Sequence, residues 1–268
     1  MRRYKLINAT VATLLLTPAA AMAQVDTSDW NCEYCPFDDG YRAEYEAGGS
    51  YVTEDAARFG NGTGLDEKGA YVDLNGEGRY FKDGTEVTWY AEDLGLDSRV
   101  FEFGAGKPGK FGIDLGYREL PYRLFGDTVT PFSGSSDTLT LPDDWVPAGT
   151  TDTMPGLAAA LAPHNIEKDR SILEFGADYL PSSQFRLFAD YQRQQREGTN
   201  IMAGSFFSQS AFLPRPVDDY TDRFDAGIRY SNGAFNMTLA YYGSFYTNDV
   251  GSLTWDNPFS GFAGTDQG

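Results

Sequence analysis

From residue 40 onward the chain alternates apolar and polar side chains with a period of two. That period marks strands with one apolar and one polar face. In "YRAEYEAGGSY", Tyr41, Ala43, Tyr45, Ala47, Gly49 and Tyr51 share a face, and Arg42, Glu44 and Glu46 share the other. "AYVDLNGEGRY" sets Ala70, Val72, Leu74 and Tyr80 against Asp73, Asn75, Glu77 and Arg79. "TEVTWYAED" sets Val87, Trp89 and Ala91 against Glu86, Thr88 and Glu92, and "RVFEFGA" aligns Phe101, Phe103 and Ala105. "KFGIDLGYRE" sets Phe111, Ile113, Leu115 and Tyr117 against Asp114 and Arg118. Four windows of the same kind follow: "SILEFGADYL", "QFRLFADYQ", "RFDAGIRY" and "AFNMTLAYYGSF". These nine candidate strands are each about 8–12 residues long, enough for a tilted strand to cross a bilayer.

The connections alternate in length. "FKDG", "GKPG", "LPSS" and "SNG" are tight turns, and between them lie long links near 53–68, 121–168 and 196–219, with a tail from 247. Short turns on one side and long loops on the other match an outer-membrane barrel whose short side is periplasmic. Tyr41, Tyr80, Phe111, Tyr179, Phe185, Tyr230 and Phe235 cluster beside the tight turns, as one interfacial girdle would. Tyr51, Trp89, Tyr117, Tyr191 and Phe245 supply candidates for the other.

A soluble exported sandwich or lipocalin-like barrel would also alternate. The membrane reading is favoured because the apolar face is rich in aromatics and admits Ala and Gly. The opposite face carries charges along most of each strand, which a dry core could not hold. The fold class expected is therefore all-β, an antiparallel transmembrane outer-membrane β-barrel. Single-chain bacterial barrels have an even strand count, so nine strands read as the N-terminal part of a larger, incomplete barrel.

Arg2, Arg3 and Lys5, an apolar stretch and the "AMA" at 21–23 describe a signal peptide over 1–23. Residues 24–40 then form a periplasmic N-terminal segment, and 41–268 the barrel portion. Loss of the three signal-peptide cations takes the net charge from −18 to −21. So acidic a chain is a poor nucleic-acid binder, and its 15% aromatic content argues against disorder. No later run is long and apolar enough for a transmembrane helix, which does not exclude a barrel.

Both cysteines lie in "NCEYCPF", as Cys32-x-x-Cys35 before Pro36. Covalent haem attachment needs C-x-x-C-H, and the one histidine, His164, is far away in a loop. A zinc site would need two further ligands. Three readings stay open: a local disulfide or thiol pair, a redox or assembly motif, and a metal site shared with another chain. "GAGKPGKF" has the spacing of a phosphate loop but lacks the Ser/Thr after Lys110, and Pro108-Gly109 reads as a hairpin turn. "FDDGYRAEYE" and "NGTGLDE" are acidic but lack the ligand spacing of a calcium loop. No nucleophile–base arrangement is visible, so no catalytic activity is expected.

The features "DWNCEYCPF", "GYRAEYEAGGSY" and "GYRELPYRLFGDTVTPF" leading into "LPDDWVPAGTTDTMPGL" resemble the MtrB/PioB family of decahaem-associated outer-membrane proteins. The resemblance runs over essentially the whole chain after residue 23. It implies a barrel that houses a periplasmic multihaem c-type cytochrome and insulates it from lipid. Electrons would then pass to or from an extracellular multihaem cytochrome or a mineral. The haem would belong to the partner, with no cofactor in this chain. The charged inner face alone equally suits an ordinary porin, and the long loops suit a structural or adhesive barrel.

Overall fold

The computed structural model describes residues 39–134, 137–206 and 209–260. They contain β1 Gly40–Val52, β2 Gly69–Lys82, β3 Thr85–Glu92, β4 Val100–Lys107, β5 Phe111–Phe125, β6 Val129–Thr130 and β7 Thr138–Leu139. Next come β8 Ala162–Pro163, β9 Ile166–Ser182, β10 Phe185–Phe206, β11 Gln209–Asn232, β12 Phe235–Asn248 and β13 Thr254–Trp255. Nine of these strands form one sheet, in the order β1-β2-β3-β4-β5-β9-β10-β11-β12. All neighbours in it are antiparallel. They are the nine strands that the alternation predicts. The sheet is open: among the described residues, β1 and β12 each pair on one side only.

The register converts the sequence alternation into two chemically distinct surfaces. One row across all nine strands runs Tyr41, Tyr80, Val87, Ala105, Ile113, Ala177, Ala189, Ala226, Tyr241. The next row on that face runs Ala43, Gly78, Trp89, Phe103, Leu115, Phe175, Tyr191, Phe224, Gly243. Neither row holds a charge, yet Tyr45 and Leu239 on this face are each 70% exposed. An apolar surface of this extent is stable against lipid and not against water.

The short connections are built by turn chemistry. Asp83 and Gly84 both have positive φ, at 52° and 74°, the type I′ geometry that matches strand twist. Pro108 and Gly109 (φ 74°) make the β4–β5 turn, closed by Lys110 N donating to Lys107 O at 2.9 Å. Asn232 Oδ1 accepts from Ala234 N and Phe235 N at 3.1 and 2.8 Å and shapes the β11–β12 turn.

The other side is taller. β10 has 22 residues and β11 has 24, whereas about 9–11 suffice to cross. The link read at 196–219 takes the form of a hairpin that continues β10 and β11 beyond the apolar band. The buried apolar cluster lies at this end: Phe132, Leu139, Leu141, Phe206, Leu213 and Phe259. Within the sheet itself, most apolar side chains face outward and are at least partly exposed.

Candidate functional site

The face opposite the apolar one is charged across its width. One row runs Arg42, Arg79, Thr88, Gly104, Asp114, Gly176, Asp190, Asp225, Tyr242. The adjacent row runs Glu44, Glu77, Tyr90, Glu102, Gly116, Glu174, Gln192, Arg223, Ser244. Like charges stand directly opposite each other at Arg42↔Arg79, Glu44↔Glu77, Arg186↔Arg229 and Asp190↔Asp225. Such pairs destabilise a sheet. They are tolerable only on a surface that water or a complementary charged partner solvates.

Part of this charge is paired locally. Arg79 Nε lies 2.6 Å from Glu86, Arg118 donates to Glu174 at 2.7 Å, and Arg186 donates to Asp178 at 3.2 Å. Glycines leave the wall low between these groups. A Cβ on Gly176 would lie 2.4 Å from Asp114 Oδ2, and one on Gly112 would lie 2.8 Å from Asp178 Oδ1. Carboxylates therefore lean into the spaces the glycines provide. A hollow of about 790 Å³ opens here, with Arg42, Glu44, Glu77, Arg79, Glu102 and Glu174 among its lining. What this surface can do is bind charged groups and water. Among the described residues, no group of three or more His, Cys, Asp or Glu is placed to hold a metal.

A second charged assembly ties the loops on the taller side. Arg123, only 7% exposed, donates to Asp169 at 2.6 Å and to Asp97 at 3.1 Å. Its Nε lies 3.3 Å from Asp66 and 3.6 Å from Glu167. Asn61 Oδ1 accepts from Arg123 N at 3.1 Å, and Gly62 N donates to Pro121 O at 3.0 Å. One cation thus fastens the β1–β2 loop and the β3–β4 loop to β5 and β9. Nothing in composition marked Arg123. Strand parity could have: it places Arg123 on the lipid-side face, where an unpaired cation has no business.

The residues singled out from sequence fall as follows. Cys32 and Cys35 lie outside the described residues. His164 sits between β8 and β9, half-buried, and its Nε2 finds no partner among the described residues. Burial lowers its pKa below the ordinary histidine value. "GAGKPGKF" is the end of β4, its turn and the start of β5. Asp66 of "NGTGLDE" is one of the Arg123 partners.

Comparison with known proteins accords with this architecture. Residues 51–267 match the family model described as "Putative outer membrane beta-barrel porin, MtrB/PioB". The chain belongs to the MtrB/PioB family. It is also 32% identical over 243 residues to "Outer membrane protein MtrB" of Shewanella baltica (strain OS185). That alignment covers 88% of this chain and 34% of the relative, so the chain spans about a third of that protein's length. As an MtrB/PioB member it is an outer-membrane, porin-like β-barrel protein. The apolar face meets lipid, and the charged rows face the lumen.

Proposed function

We propose that this barrel wall houses a periplasmic multihaem c-type cytochrome in its lumen and insulates it from lipid, so that electrons cross the outer membrane along the partner's haems. Membership of the MtrB/PioB family, together with the "CEYCPF" and "YRELP…LPDDW" segments, carries this reading. The luminal chemistry supports it. A wall with facing like charges gains more from a charged protein surface than from an apolar one, and its acidic excess complements a basic partner. The haem belongs to the partner, and this chain contributes position and insulation.

Co-purification tests the proposal. The full-length protein extracted from membranes of cells that make multihaem cytochromes should carry a haem-staining partner. A haem-free barrel from those cells would overturn it. The second reading, an open porin, is favoured by the charged luminal rows alone. It predicts steady solute conductance in planar bilayers by the protein without a partner.

A further inference from the structure

The tall β10–β11 hairpin outruns both of its neighbours. Pairing with β9 ends at Gly198↔Lys168, and pairing with β12 ends at Asp219↔Asn248. The β10–β11 register is unbroken from Phe185↔Tyr230 to Phe206↔Gln209. The alternation of faces therefore carries through to the tip. Met202, Gly204 and Phe206 continue the face of Arg186, Asp190 and Gln192, and Ala211, Leu213 and Val217 continue it on β11. That face is the luminal one.

Above the apolar band its chemistry inverts. Leu213, Phe206 and Val217 are 1%, 6% and 8% exposed, whereas Phe212 on the opposite face is 78% exposed. The cover consists of Phe132, Leu139 and Leu141 from the β5–β9 link and Phe259 from the segment after β12. Trp145, Met154, Leu253 and Trp255 pack against them.

These covering segments are fastened to each other. β7 pairs with β13 at Thr138↔Thr254 and Leu139↔Trp255. Leu141 N donates to Asp256 Oδ2 at 2.8 Å, Trp145 Nε1 donates to Pro258 O at 3.1 Å, and Ala148 bridges Phe259. The base of the link is closed where β6 pairs with β8 and His164 N donates to Thr128 O at 2.8 Å. Lifting the cover would return the whole buried cluster to water, which rules out thermal opening as a routine event.

We propose that residues 129–134, 137–163 and 250–260 form a fixed cap, packed on the luminal side of the β10–β11 hairpin, that narrows the extracellular mouth of the barrel against small hydrophilic solutes. The cap needs only the outer-membrane barrel placement and stands or falls separately from the cytochrome reading.

The full-length protein in its own outer membrane tests this, in a Cys32→Ser, Cys35→Ser background without a cytochrome partner. A membrane-impermeant maleimide applied to intact cells should label Phe212→Cys readily and Leu213→Cys slowly. Equal labelling of the two would overturn the inward packing. Replacing residues 129–163 with a short Gly/Ser linker should raise uptake of a small hydrophilic cephalosporin several-fold, read by periplasmic β-lactamase. The combined Trp145→Ala, Asp256→Ala variant, which breaks two fasteners and keeps the segment, should give a smaller rise. Uptake unchanged in both, at equal amounts of heat-modifiable barrel, would sink the cap.

Discussion

Arg118 and Arg123 lie five residues apart on β5, and odd spacing on a strand puts them on opposite faces. Arg118 reaches Glu174 in the lumen, while Arg123 is buried under two loops among Asp66, Asp97, Glu167 and Asp169. Removing the cation leaves those carboxylates facing one another. Arg123→Ala should cost about 3 kcal/mol, the low end for breaking a buried pair, because Asp97 and Asp169 keep contact with water. Protease nicking within residues 53–68 should rise in that variant and fall back partly in Arg123→Lys. His164 gives a second test at this scale. Burial favours its neutral form, so its folded pKa lies below the unfolded value of about 6.5. Folding then binds fewer protons, and stability falls as pH drops from that value through the folded pKa. Once corrected for the intrinsic base-catalysed rate, protection of the residue-164 amide, which donates to Thr128 O, should be lower at pH about 5.5 than at about 7.5, and His164→Gln should remove the difference. Both residues were visible in the sequence. Their surroundings were not, because each is enclosed by segments distant along the chain.

At the scale of elements, Trp89 shows how a weak strand is repaired. "NGEGRY" puts Gly76 and Gly78 on the lipid face of β2, where they offer no side chain to pack. Trp89 on β3 lies over both: a Cβ on Gly78 would fall 2.2 Å from its Nε1, and one on Gly76 would fall 3.0 Å from its Cη2. Tyr45 on β1 packs against the same indole, with ring centroids 5.5 Å apart. Trp89 sits mid-strand on β3 as a bridge across β1, β2 and β3. Trp89→Ala should lower barrel stability by about 2 kcal/mol, less than in the packed core of a water-soluble protein because lipid refills part of the gap. A lower urea midpoint for unfolding in detergent or lipid would register it, and an unchanged midpoint would contradict the bridging role. The strands themselves were legible because alternation is a local signal. Their upper reaches were less so. Residues 196–219 lose the lipid-facing pattern above the membrane, and their strand character comes from pairing within the hairpin.

For the whole molecule, the luminal wall is the surface that a housed partner would meet. Asp114, Asp190 and Asp225 stand in one row, with Gly176 between the first two. If a basic cytochrome surface docks here, Asp190→Asn together with Asp225→Asn should weaken its retention, and added salt should have the same effect on the unaltered protein. Retention measured by haem content after washing at rising ionic strength checks this. Loss from the double variant without any salt dependence would argue against an electrostatic contact.

The sequence by itself determined the antiparallel strands, the two-faced sheet, the short and long sides and the family, since each depends on local alternation, turn residues or motifs. Only the tertiary structure decided which charges face one another, that Arg123 gathers carboxylates from three other segments, and that the tall hairpin buries its luminal side under the link and the tail. Those outcomes depend on register and on contacts between distant segments. Shifting the register by one residue would exchange the faces of a strand, and composition carries no record of which distant segment comes to lie on which.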